Sequence, residues 1–373
     1  MTLPKGLAGV PADTTSISDI DGERGELRYR GYSIADLVSH CSFLDVACLV
    51  LDGELPTPDS RREFERSLAQ PRALPPAAAD VLSRLPRETH PMTALQVVLP
   101  LLDDASAKSA PRLENRAAQR EGLLAIAAKL PTTVAALARL RAGRTPLAPD
   151  PSLPIHADFL RMLRGEAPHP AEVATLDATQ ILQMEHGFNA STFTGRTVAS
   201  TLCPLSMALS ACVGALYGPL HGGADEAAYR MALSIGDPAK APAWVDEQLA
   251  AKEKIMGLGH REYKVVDPRA VILKPMALEL ARLKGQEKVV ETLIAVDEHA
   301  EKRFAEQGKR IRANVEFYKG AVFAALGIPP EFFTTLFAMA RVFGWGAHML
   351  ELWDDHKLYR PAAVYTGAGP RTV

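Results

Sequence analysis

Cysteine is scarce in this chain of 373 residues, which has only Cys41, Cys48, Cys203 and Cys212. None shares the close CxxC spacing of a metal site, and all four lie in apolar, helix-like sequence, so they are expected to be buried thiols of a cytoplasmic protein. Net charge is nearly absent as well. The 42 Lys and Arg residues face 44 Asp and Glu, a formal charge of -2. That balance excludes bulk attraction to nucleic acid or to an anionic membrane, and any anion must be met by a local cluster of Lys and Arg. The opening MTLPKGLAGVPADTTS carries neither a charged-then-apolar signal pattern nor an Arg-rich amphipathic one, which again favours the cytoplasm. Internal repeats and low-complexity tracts are lacking. A composition of 47% hydrophobic and 23% charged residues excludes disordered and fibrous classes.

The nearest approach to a membrane span is residues 197–224, free of Asp, Glu, Lys and Arg. It is rich in Ala, Ser and Thr and interrupted by Pro204, Gly214 and Gly218, so a helix buried in the protein or between subunits is expected there, not a membrane helix.

Strand signals are confined to the start. TSISDIDGERGELRYRGY alternates apolar and polar residues and turns through Gly22 and Gly25, which predicts a β-hairpin. The period then becomes helical. Starts are marked by Ser33, by Ser42 with Asp45 three residues on, and by Thr57-Pro58, with Gly53 as a stop. Further helices are predicted around Pro75, at His90-Pro91 and over residues 115–141, 154–164, 170–185, 225–233 and 243–255. Two or three more fall within 267–307, followed by 313–326 and 330–352. Residues 145–154, TPLAPDPSLP, read as an exposed loop. The last helix, EFFTTLFAMARVFGWGAHMLEL, is apolar on nearly every face, which predicts a place at the centre of the fold or in a subunit interface. A dimer formed through it and the uncharged stretch after Thr197 is expected. The fold class is thus all-α with a small N-terminal β-hairpin, long enough for a large domain carrying a smaller one and a cleft between them.

Four histidines sit beside glycines or helix starts: His90 in HPM, His186 in MEHGFN, His221 in GPLHGGADEAAYRM and His260 in GLGHREYKVVDPRA. Glycine lets a ligand approach the backbone closely. A Gly-rich turn feeding a helix puts N–H groups and the positive dipole end beside His221, which favours a neutral imidazole able to donate to an oxyanion. Each of these could equally be a helix cap or a core residue. His186, His221, His260 and Glu316 could also form a metal ligand set, but no pair has the HExxH spacing, so no metal is expected. Asp267-Pro268 starts a helix, after which Arg269 can clamp a carboxylate; Lys264 can meet a phosphate. In KRIRANVEFYKG, Lys309, Arg310 and Arg312 precede Glu316, a lone acid among Val315, Phe317 and Tyr318, suited to act as a base or to pair with a nearby Arg. Arg341 is the only formal charge between Glu331 and Glu351, which calls for a buried anion. Arg360, in LYRPAAVYTG, has polar surroundings.

These segments together resemble the citrate synthase family, in its short form. The likeness runs nearly end to end through IDGERGELRYRGYSIADL, HPM, EHGFNASTF, GPLHGGADEA, GHREYKVVDPRA, NVEFYKG, GWGAHMLE and RPAAVYTG. It implies a mostly helical homodimer whose large domain, residues 1–219 and 323–373, carries a small domain at 220–322 that closes over the substrates. It also implies condensation of acetyl-CoA with oxaloacetate, with no permanent cofactor. Glu316 would remove the acetyl proton, His221 stabilise the enolate, and His260 polarise the ketone. His186, Arg269 and Arg341 would hold the oxaloacetate carboxylates, with Arg360 reaching across from the other subunit. Leu258, Gly259, Lys264, Lys309, Arg310 and Arg312 would bind CoA. The chain departs from the family pattern at Glu316, where an Asp is usual, at Asp225 in place of a common Asn, at Glu262 in place of an aliphatic residue, and at Ala362. Two alternatives stay open: a 2-methylcitrate synthase using propionyl-CoA, and a relative that binds these ligands with little turnover.

Overall fold

The alternation at the start of the chain does make strands. In the computed structural model, which describes residues 4–7, 9–103 and 113–373, β1 (Ser18–Asp21) pairs antiparallel with β2 (Glu26–Tyr29), Ser18 opposite Tyr29. A third short strand, β3 (Tyr32–Ser33), folds back on β2 and enlarges the predicted hairpin to a three-stranded sheet. The turn between them uses Arg30 and Gly31, both at positive φ (49° and 87°). That is the primed-turn geometry that suits strand twist, and Arg-Gly is not its usual sequence signature.

The predicted helix starts hold because capping is local chemistry. Ser33 caps α1 (Ile34–His40), Ser42 and Asp45 form a reciprocal box on α2 (Phe43–Asp52), and Thr57 caps α3 (Pro58–Ala69). Gly53 ends α2 in the left-handed region (φ 94°). Then come α4 (Pro76–Arg84), α5 (Pro91–Val98), α6 (Arg116–Arg141), α7 (Ile155–Arg164) and α8 (Pro170–Gln183). His90 is a cap, its Nδ1 accepting from the Met92 N–H at 3.2 Å.

The stretch after Thr197 is not one helix. It is divided between α9 (Ala190–Ala199) and α10 (Leu205–Tyr217) by a turn ahead of Pro204, which cannot supply an N–H inside a helix. Among the described residues, the one helix long and apolar enough to cross a membrane by length and composition is instead α6, and it is mostly buried inside the protein as a core helix. The remainder is α11 (Ala224–Ile235), α12 (Ala241–Ala250), α13 (Pro268–Leu283), α14 (Glu287–Glu306), α15 (Val315–Ala325) and α16 (Phe333–Asp354).

α16 is the axis of the core. Every residue from Phe333 to Leu350 is buried, against α2, α6, α8, α9 and α10. Truncating Phe343 to Ala there would cost ~3–5 kcal/mol. With all its faces covered within one chain, α16 offers nothing to a second protomer, contrary to the expected dimer contact. α10 does keep Met207 and Tyr217 exposed.

Candidate active site

The residues singled out in the sequence converge on one cleft of about 1530 Å³, lined among others by His186, His221, His260, Arg269, Glu316 and Arg341. His186 follows α8, His221 lies on the turn into α11, and His260 on the loop before α13. Glu316 is in the first turn of α15, and Arg341 in the middle of α16.

His221 sits three residues before α11, as the Gly-rich turn implied. Its Nε2 meets the backbone N–H of Ser191 at 3.3 Å and the Ser191 hydroxyl at 2.8 Å. A backbone N–H can only donate, so Nε2 accepts and the proton of the neutral ring rests on Nδ1. Burial, with the charges of Arg341 and Lys319, pushes His221 down to about 4, so the ring is neutral at pH 7. Trp345 donates from Nε1 to the Ser191 hydroxyl at 3.1 Å and steadies it. Neither Ser191 nor Trp345 stood out in the sequence, although Asn189 as the cap of α9 marks the turn that presents Ser191.

His260 is the mirror case. Its Nδ1 accepts from the backbone N–H groups of Glu262 (3.0 Å) and Tyr263 (3.3 Å), which puts the neutral ring's proton on Nε2. Burial, with the charge of Arg269, pushes this group to about 4 as well. Arg269 Nη2 lies 3.4 Å from His260 Nε2, so two donors stand side by side and suit a shared oxygen acceptor. The expected free clamp at Arg269 is, however, largely taken. Asp267, the cap of α13, grips it through Nε at 3.0 Å and Nη2 at 2.7 Å, because a short acid two residues away folds back onto it. His186, buried and held well below its ordinary value by burial and by Arg269, contacts the Tyr263 hydroxyl through Nε2 at 3.0 Å.

The His260 loop is strapped to the residues before α15. Gly259 N–H donates to the Arg312 carbonyl (2.7 Å), Asn314 N–H to that of Gly257 (2.9 Å), and the Asn314 side chain to that of Gly259 (2.8 Å). Gly257 is at φ 83°, and a Cβ there would fall 2.8 Å from the Phe317 ring, so only glycine allows this approach. Asn314 Oδ1 then caps α15 by accepting from the Glu316 N–H. One short strap thus fixes His260 and Glu316 relative to each other.

Glu316 is buried but edges the cleft, and its ion-pair partner is Lys319 at 2.8 Å, not the Arg that the sequence suggested. The i, i+3 spacing on a helix was the available signal for Lys319. Arg341 is 1% exposed and spends Nε on the Gln183 carbonyl (2.7 Å). No carboxylate lies within ion-pair distance of it among the described residues. Glu185 and Glu316 act on its charge only from beyond ion-pair distance, and a buried guanidinium so weakly compensated suits an anionic ligand.

A smaller cavity adjoins the cleft through Gly259, His260 and Ile311 and carries Lys264, Arg310 and Arg312. Arg312 is engaged by Glu301, whereas Lys264 reaches only a carbonyl and Lys309 only the Gln307 amide. Leu258 and Lys309 line the main cleft. Arg360 lines neither cavity; it is exposed on the C-terminal stretch and donates to the Pro361 carbonyl. Among the described residues no group of three His, Cys, Asp or Glu side chains could hold a metal.

Residues 6–362 match the family model described as citrate synthase, C-terminal domain. The chain is 40% identical to citrate synthase of Acidithiobacillus ferridurans over 98% of its own length and 96% of that protein. It is 36% identical to 2-methylcitrate synthase 2 of Corynebacterium glutamicum over 99% and 96%. Its fold superposes with a TM-score of 0.92, at 31% identity and 99% and 97% coverage, on the citrate synthase of Thermoplasma acidophilum in ternary complex with carboxymethyl coenzyme A and oxaloacetate.

Proposed function

The chain belongs to the citrate synthase family, and from that premise we propose how its own residues carry the reaction. It is an acyl-CoA:oxaloacetate C-acyltransferase that condenses acetyl-CoA with oxaloacetate and water to give citrate and CoA. The observation that carries the assignment of roles is a single cleft lined by three neutral histidines, one carboxylate and the buried Arg341, which has no carboxylate within ion-pair distance among the described residues.

Glu316 takes a proton from the acetyl methyl, and the C–H electrons form the enolate. A carboxylate is a weak base for so weak an acid, so stabilising the enolate oxygen does most of the work. His221 donates to that oxygen from Nδ1, worth ~3–4 kcal/mol for one such donor. The enolate carbon attacks the ketone of oxaloacetate, whose oxygen takes up negative charge and accepts from His260 Nε2–H and the Arg269 edge. Arg341 and His186 hold the carboxylates. Water then cleaves the thioester of the citryl-CoA so formed, releasing CoA thiol and citrate. Lys264 and Arg310, with Lys309 and Leu258 nearer the thioester, face the CoA phosphates and arm.

We place the small domain at residues 220–322. In its favour, these residues carry His221, His260 and Glu316, whereas His186 and Arg341, which line the same cleft, come from outside that range, so closure would bring base, donors and clamp together and exclude water. We also assign a homodimer in which Arg360 serves the partner's cleft, supported by its exposure away from both cavities of its own chain. Mixing refolded Glu316→Gln and Arg360→Ala variants should then restore about a quarter of the sites, through hybrid dimers with one intact cleft each; no restoration would contradict exchange across subunits.

The test of the activity is release of CoA thiol from acetyl-CoA by the purified protein, required to depend on oxaloacetate. The relative from C. glutamicum favours a second substrate, propionyl-CoA. One methylene alters binding by only ~1–3 kcal/mol, so kcat/KM for the two acyl-CoAs, measured side by side, decides between them.

A further inference from the structure

Glu316 shares its cation. Its Oε2 lies 2.8 Å from Nζ of Lys319, one turn along α15, and the same Nζ lies 3.3 Å from Oδ2 of Asp225 in the first turn of α11. The side chains of Lys319 and Asp225 are fully shielded from solvent, whereas that of Glu316 is partly open. The Lys319 ammonium also sits 4.0 Å from the centre of the Phe337 ring, and Phe337 lines the cleft. The two helices approach this closely because residue 320 is glycine: a Cβ there would lie 2.4 Å from the Asp225 carbonyl oxygen. None of the three charged atoms makes a well-aligned hydrogen bond, so the cluster is held by charge.

One buried ammonium between two carboxylates leaves a net negative charge that must be managed. Burial, opposed by Lys319 and reinforced by the charge of Glu316, pushes Asp225 up from the ordinary carboxylate range. When Glu316 is ionised, Lys319 is shared. Once Glu316 takes up a proton, Lys319 keeps Asp225 as its partner, and no buried charge is stranded.

We propose that Lys319 and Asp225 are positioning residues for the base: they hold Oε2 of Glu316 at the wall of the cleft, leave Oε1 for the substrate methyl, and pass the ammonium from Glu316 to Asp225 as the base becomes protonated. The proposal rests on Glu316 being the base. Other charged and titratable groups near α15 are Arg341 on α16, Asp267 and Arg269 at the start of α13, Asp297 on α14 and Glu172 on α8, with His221 and His260 lining the same cleft. Asp267 and Arg269 neutralise each other, Asp297 accepts from Tyr318, and Glu172 is held by Arg164 and Lys284. Arg341 acts on Glu316 through its charge but from beyond ion-pair distance, so Lys319, with Asp225 behind it, is the direct contact through which the charge of Glu316 can be set.

The experiment compares Lys319→Met, Asp225→Asn and the double variant, with kcat and KM measured across pH and Tm measured alongside. Loss of the cation disfavours ionised Glu316, so Lys319→Met should raise the acidic limb of kcat by about one pH unit or more. It should also lower kcat at neutral pH about 10²-fold, with KM for oxaloacetate changed less than about threefold. Asp225→Asn leaves Lys319 to Glu316 alone, so its limb should move the other way, with kcat down about tenfold because the base is weaker. The double variant should bring the limb back toward the wild-type position. Limbs that stay in place, or that move in the same direction in both single variants, would overturn the proposal even if Tm falls, because an ion pair that only supports the fold predicts that pattern. Should Lys319→Met fail to fold, Asp225→Asn should still lower the limb while the double variant leaves it near the wild-type position. If the wild type releases no CoA thiol, the assignment of Glu316 as base fails on its own account. The network is then judged by Tm: Asp225→Asn should recover part of what Lys319→Met loses, and strictly additive losses would overturn it.

Discussion

The proton donors and the base that share this cleft are held by different physics. On the donor side, His221 and His260 take their tautomers from backbone N–H groups, those of Ser191 in one case and of Glu262 and Tyr263 in the other. On the base side, Glu316 takes its place from a buried ammonium and, through it, from Asp225. Backbone donors are neutral, fixed by the fold and indifferent to pH, so the histidines point their remaining N–H groups into the cleft under all ordinary conditions. A carboxylate held by charge is adjustable, and any change in its partners changes its basicity. Donors can be rigid, but a base has to gain and lose a proton in every cycle.

The largest expected effect breaks the base side outright. Glu316→Gln should lower kcat about 10³-fold or more with substrate binding retained, and a variant with near-normal kcat would show that the proton goes elsewhere. His221→Ala, which removes one oxyanion donor, should cost about 10²- to 10³-fold in kcat.

Next comes Arg341, which belongs to neither side but to the anion between them. Arg341→Met should weaken oxaloacetate binding by ~2–5 kcal/mol, read by calorimetry. The ligand-free protein should lose little Tm, because no carboxylate lies within ion-pair distance of the charge that is removed and Glu185 and Glu316 act on it only from farther away. A large fall in Tm would mean that Arg341 is paired within the protein.

The pH dependence of stability sharpens the donor side. His221 and His260 both sit near 4 in the folded protein, below the ordinary value near 6.5. Above pH 6.5 they are neutral whether folded or not. As the pH falls from 6.5 toward 4 the unfolded chain takes up protons that the folded one refuses, so stability should fall by up to ~1.4 kcal/mol per pH unit for each histidine. Urea midpoints at pH 7 and 5 measure this, and His260→Gln should flatten the slope.

The smallest effects lie at the rim. Lys264→Ala or Arg310→Ala should raise KM for the acyl-CoA several-fold and leave kcat alone, with the difference shrinking at high salt. Arg312→Ala should do less still, because Glu301 already engages that residue.

The donor side was far more legible in the sequence than the base side. Ser33, Ser42 with Asp45, and Thr57 act within one helical turn, so their caps could be read directly, and the histidine motifs carry their glycines beside them. β3 escaped because its turn depends on the positive φ of Arg30, a non-glycine residue. The occupied fork of Arg269 and the help from Ser191 and Trp345 depend on side-chain directions and on contacts across the fold. Asp225, which adds negative charge near an anion site, and Glu316, one methylene longer than the usual Asp, stood in the sequence as two separate departures from the family pattern. In the fold, 91 positions apart, they meet one lysine. Asp225 is buried behind the cleft wall, so its charge is set against Lys319 and not against the substrates, whereas Glu262 does line the cleft.

The division of labour across the cleft is tested most directly by exchange of the acetyl-CoA methyl protons with deuterated water, in the presence of a four-carbon dicarboxylate that lacks the ketone. Enolisation can then occur but condensation cannot. The wild type and His260→Asn should both exchange, while Glu316→Gln should not. Exchange that survives in Glu316→Gln, or that is lost equally in His260→Asn, would contradict the account.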